Sequence, residues 1–128
     1  MAQEKRVLVV CHVEAVLWPI VRRYKEAGWQ VQAASNLPSG MRIFEANPIG
    51  FDLVIMDEDH GCENGSFRDV LAGLREIRCL NGQCVVIAMT TIARSKVEVR
   101  DLKEWVNKVI DRKSWPTLVA LSAQYFKK

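Results

Sequence analysis

The sequence predicts a doubly wound α/β fold, a five-stranded parallel sheet with helices on both faces, on three observations. Short apolar runs alternate with helix-length amphipathic segments through all 128 residues, which is the pattern of βα units. The first, third and fourth runs are continuously apolar, as strands covered on both faces must be. No internal repeat, low-complexity tract or linker marks a second domain, so residues 1–128 are expected to form one domain with no appended effector.

The elements follow in order. Arg6-Val7-Leu8-Val9-Val10 is the first strand. Residues 15–27 place Val16, Leu17, Ile20, Val21 and Tyr24 at helical spacing and stop at Gly28, a residue suited to a helix C-terminus. Pro19 fits only in the first turn or at a kink. Residues 29–34 alternate in polarity and read as an edge strand, after which Asn36 or Ser39 can cap a helix ending before Pro48. Residues 51–57, Phe-Asp-Leu-Val-Ile-Met-Asp, form the third strand. A polar loop over 58–66 precedes a helix whose inward residues are Phe67, Val70, Leu71, Leu74 and Ile77. The fourth strand is expected over 84–89, a weaker helix over 95–104, a fifth strand over 106–110, and a last helix over about 116–126. Five such units make a flavodoxin-like (βα)5 sheet of strand order 2-1-3-4-5, whose ligand crevice lies at the carboxyl ends of the strands.

Composition narrows the function classes. The net charge of +3 is mild and the charges are interleaved, which argues against a nucleic-acid binder. No apolar stretch is long enough to span a bilayer, and the N-terminus runs straight into a strand without a signal-peptide layout. A cytoplasmic protein with no membrane partner is the expectation. Cys11, Cys62, Cys79 and Cys84 contain no C-x-x-C pair and read as reduced thiols.

The crevice gathers the ends of strands one, three and four, namely Cys11-His12, Asp57 and Thr90-Thr91. Here the sequence resembles the response-regulator receiver (CheY-like) family. Residues 51–57 resemble its third strand, whose last Asp accepts a phosphoryl group. Residues 85–90 resemble its fourth, which ends in a Ser or Thr contacting that group. The interval from Val9-Val10-Cys11-His12 to Gly28-Trp29 matches the family's spacing, and counting on from Thr90 puts Arg112 where the family carries a Lys. The resemblance covers essentially the whole chain. It implies a stand-alone response regulator in a two-component phosphorelay. Asp57 is the candidate phosphoacceptor, with Thr90, Arg112 and Lys113 as companions. A sensor histidine kinase, an output protein or a second copy of the chain is the implied partner. No enzyme activity is expected beyond self-phosphorylation and dephosphorylation at Asp57.

The departures from the family lie in the pocket. Receivers place two acidic residues after the first strand to hold Mg²⁺ with the acceptor Asp. This chain offers Cys11 and His12, while Mg²⁺ demands hard oxygen ligands. Asp57 alone is then a weak metal candidate, unless Glu14 or Glu58 lends a carboxylate. Arg112 keeps the family's positive charge but favours bidentate carboxylate pairing, and a one-residue slip would offer Lys113 instead. Val109 falls where receivers carry an aromatic residue. Trp105 and Trp115 flank it as candidate interface residues.

Three readings remain open. The first is docking without phosphorylation, the second a Mg²⁺-dependent phosphoacceptor at Asp57. The third is a thiol or metal sensor on Cys11 and His12, with Asp57, His60 and Cys62 as further ligands. That sensor requires a depressed thiol pKa at Cys11 or bound metal.

Overall fold

The computed structural model describes residues 4–57, 67–90 and 96–126. The expected loop over 58–66, with Glu58, His60 and Cys62, and Thr91 lie outside them. The described residues form β1 (Arg6–Val10), α1 (Glu14–Glu26), β2 (Gln30–Ala34), α2 (Leu37–Ala46), β3 (Leu53–Asp57), α3 (Phe67–Leu80), β4 (Val85–Thr90), α4 (Lys96–Lys103), β5 (Lys108–Asp111) and α5 (Leu118–Ala123). The five strands are all parallel, in the order β2-β1-β3-β4-β5. The expected sheet and its edge strand β2 are thus observed.

Every residue of β3 and β4 is buried, because apolar side chains leave both faces of these central strands and meet helices on each side. One face packs Leu8, Val10, Val54 and Val86 against Phe44 of α2, Leu74 of α3 and Leu102 of α4. The other packs Val7, Val9, Ile55 and Ile87 against Leu17 and Tyr24 of α1 and Leu118 of α5. The alternation of side chains along each strand divides the core in this way.

Local signals explain most boundaries. Asn36 caps α2 by accepting a hydrogen bond from the Ser39 backbone N–H at 2.8 Å. Gly28 closes α1 at φ +93°, a backbone region that side chains other than glycine's rarely tolerate. Gly40 lets α2 approach β1, since a Cβ there would fall 2.6 Å from a Val10 methyl. Pro19 lies inside α1, in its second turn. Its missing N–H is tolerated where Leu17, Ile20, Val21 and Tyr24 bury the opposite face of the helix.

The end of the chain differs from expectation. The fifth strand is displaced to Lys108–Asp111, and a 3₁₀ segment, Arg112–Thr117, precedes a short α5. Asp111 starts that segment by accepting a hydrogen bond from the Lys113 backbone N–H at 2.8 Å, and Pro116 lies within it. Asn107 sets β5 against β4, its side-chain oxygen accepting from the Val86 N–H at 2.9 Å and from Arg78 at 2.6 Å. The position of β5 in turn decides where Arg112 points.

Candidate functional site

Asp57 ends β3 and is wholly buried. A carboxylate in such a place is tolerated only if its charge is matched and its oxygens are hydrogen-bonded. Among the described residues, three side chains converge on it. The Arg112 guanidinium lies 3.2 Å from both carboxylate oxygens through one terminal nitrogen. The Cys11 thiol donates to Oδ2 at 3.3 Å, and His12 places Nδ1 3.7 Å from that same oxygen. Adjacent residues of a continuing strand would point to opposite faces of the sheet. Cys11 and His12 do not, because β1 ends at Val10 and residues 11 and 12 turn out of the pleat.

Cys11 is buried, and its thiol pKa is pushed up to about 12, first by burial and then by the neighbouring Asp57 charge. A thiol sensor needs the opposite shift, since thiolate is the reactive form. Burial and the Asp57 charge thus favour the neutral thiol, which donates to Asp57. Thr90 is also buried, but its hydroxyl donates to the Ile110 carbonyl at 3.4 Å. It thus braces β4 against β5.

The remaining candidates are placed as follows. Lys113 is exposed, and its backbone N–H is engaged by Asp111, so Arg112 is the cation that reaches Asp57. Glu14 is exposed in the first turn of α1. Glu58 lies outside the described residues. Trp105 and Val109 pack with the α2–α3–α4 side of the sheet, whereas Trp115 packs with the α1–α5 side. Because β5 is an edge strand, both groups border the same edge of the sheet. Trp105 is covered by Arg75, whose guanidinium lies 5.3 Å from the ring. The sequence reading missed Trp18, which is 55% exposed on α1.

Among the described residues, no group of three His, Cys, Asp or Glu side chains is arranged to hold a metal. Mg²⁺ in particular fits this donor set badly. Among the described residues the set offers one hard carboxylate, flanked by a neutral thiol, an imidazole and a guanidinium that already faces both of its oxygens. Cys79 and Cys84 are not bridged, the first exposed and the second buried. Among the described residues no helix is long and apolar enough to cross a membrane.

No family model matches the sequence, and no curated protein matches it. Solved structures do match. A response regulator receiver domain protein from Clostridium thermocellum aligns with a TM-score of 0.71 at 25% identity, over 84% of this chain and 81% of that one. A CheY-like receiver domain protein from Methanospirillum hungatei aligns with a TM-score of 0.80 at 18% identity, over 96% and 94%. A response regulator from Burkholderia pseudomallei, described with a phosphorylated aspartic acid and a calcium ion, aligns at 0.75 and 18%, over 91% of this chain and 65% of that one.

Proposed function

Because the chain has the fold of a CheY-like response-regulator receiver domain, we propose that it is a two-component signalling module that acts by docking other proteins. In this reading Asp57 is a structural ion-pair partner and is not turned over as a phosphoacceptor. The observation that carries it is the Arg112 guanidinium 3.2 Å from both Asp57 oxygens. An incoming phosphoryl group would have to displace that contact, and no second carboxylate among the described contacts of Asp57 would help a cation draw the group in.

The partners under this proposal are a sensor histidine kinase, an output protein or a second copy, and no enzymatic turnover is assigned. A second reading, phosphorylation at Asp57, is supported by its place at the carboxyl end of β3 beside Thr90 and Arg112, and by the phosphorylated aspartic acid of the Burkholderia pseudomallei regulator. Intact mass after incubation with acetyl phosphate and Mg²⁺ separates the two, with Asp57→Asn as control and an ordinary receiver treated in parallel. No adduct is expected on this chain under conditions that label the ordinary receiver. An adduct lost in Asp57→Asn and abolished by chelator would establish the second reading.

A further inference from the structure

We infer that the groove between α1 and the Arg112–Thr117 segment binds an acidic peptide segment of another protein, one that carries an apolar anchor side chain. This deepens the docking reading, on which it rests, by naming a surface and the chemistry of its partner. The groove holds about 530 Å³ and is lined by Trp18, Pro19, Arg22, Arg23, Glu26 and Trp115. That volume lies within the range of ligand clefts, roughly 300–1,000 Å³.

Its construction favours a binding surface over a packing defect. Trp18, Arg22 and Glu26 recur every fourth residue, so they share one face of α1, opposite the face that buries Leu17, Val21 and Tyr24. Trp18 leaves most of a large indole in water, whereas Trp29, Trp105 and Trp115 pack against the two cores. The far wall is fixed. Arg23 stacks over the Trp115 ring at 5.1 Å and donates to the Pro116 carbonyl at 3.3 Å. Exposed Trp and Arg together are the residue types that dominate binding energy at protein interfaces.

Charge selects the occupant. Arg22 is exposed and has no hydrogen-bond or ion-pair partner among the described residues, so it is available to a carboxylate. Glu26 closes the other end of the groove. An acidic residue therefore seats at Arg22 with an apolar side chain beside it between the two indoles, and a non-acidic residue follows towards Glu26. A nucleic-acid strand suits the groove less well, because its evenly spaced phosphates would run past Glu26 and the chain's net charge is only +3.

The test is a titration of ¹⁵N-labelled protein, reading the tryptophan indole N–H signals. The probes are a synthetic aspartate–leucine peptide, its lysine-for-aspartate counterpart and an oligothymidylate of equal length. Saturable shifts at Trp18 and Trp115 are expected with the acidic peptide alone, while Trp29 and Trp105 stay unmoved. Trp18→Ala and Arg22→Glu should each weaken that binding about tenfold or more, and an unmoved Trp29 signal shows that each variant is folded. No saturable shift with the acidic peptide, or an equal response to the lysine peptide, would overturn the inference. Tighter binding of the oligothymidylate would replace it with a nucleic-acid surface. The Asp57 labelling experiment is read separately. A silent groove with unlabelled Asp57 removes this surface alone, and a binding groove with labelled Asp57 removes only the phosphorylation-independent reading.

Discussion

The buried thiol of Cys11 makes a quantitative demand on alkaline stability. Its pKa is 9.0 in the ordinary state and about 12 here, raised by burial and by the Asp57 charge. The sign follows from proton binding. Below pH 9 both folded and unfolded chains hold the proton, and the stabilisation of the thiol form is fully present. Above it the unfolded chain ionises first, so stability falls until the pH passes the folded value. For one group with an unfolded pKa near 9, the loss from about pH 8 to pH 10 is about 1.4 kcal/mol. Cys84, pushed to about 12 mainly by burial, adds a similar loss. Cys11→Ser removes the titration while retaining a donor to Asp57, so the Cys84 contribution cancels between the two proteins. Urea unfolding at a series of pH values should show the wild type losing about 1.4 kcal/mol relative to Cys11→Ser over that interval. A difference that stays constant with pH would refute the reasoning. So would alkylation of native Cys11 as fast as that of exposed Cys79.

Three further outcomes follow from single contacts. Arg112→Ala leaves Asp57 buried without its cation, which should lower the unfolding free energy by about 3–5 kcal/mol, and adding Asp57→Asn should restore much of that loss in a double-mutant cycle. Asn36→Ala removes the cap of α2 and should cost about 1 kcal/mol by urea denaturation. Tyr24→Phe deletes a buried hydroxyl that donates to Ser122 at 3.1 Å, and calorimetry should show a loss of about 1 kcal/mol.

The sheet was legible because its signal is redundant. The apolar runs of β1, β3 and β4 can be buried on both faces in only one kind of layered fold. Asp57 was legible as the polar residue ending such a run. The choice between Arg112 and Lys113 was not, because it is made by Asp111, whose side chain engages the Lys113 N–H and fixes the turn. The sides of the sheet on which Trp105 and Trp115 pack were not legible for a related reason. Val109 and Ile110 face opposite sides of the sheet, so a short separation in sequence says little about the side on which the following chain packs. The usual α1 helical pattern marks the inward residues, and Trp18 escaped notice because it falls out of phase with Leu17, Val21 and Tyr24. An indole on the solvent face of an amphipathic helix was itself the available signal.

The pocket and the groove share one short piece of chain, and this governs how firmly each is built. Arg112, the first residue of the 3₁₀ segment, reaches down to Asp57, while Trp115, three residues later, forms the wall over which Arg23 lies. In a 3₁₀ helix residues three apart stack on one side, so both side chains leave the same edge of the segment and turn towards the α1 side of the sheet. A short 3₁₀ segment has poor internal hydrogen-bond geometry and holds its shape only through such outside contacts. The Asp57 ion pair anchors one end, and the Arg23 stacking with its bond to the Pro116 carbonyl anchors the other. The buried pair is the stronger anchor, because it is shielded from water, whereas an exposed cation–π contact contributes only about 0.5–1 kcal/mol. In the proposed reading Asp57 takes on a structural task that needs a fixed guanidinium partner. A phosphoacceptor would need that same carboxylate to be open to a cation and an incoming phosphoryl group.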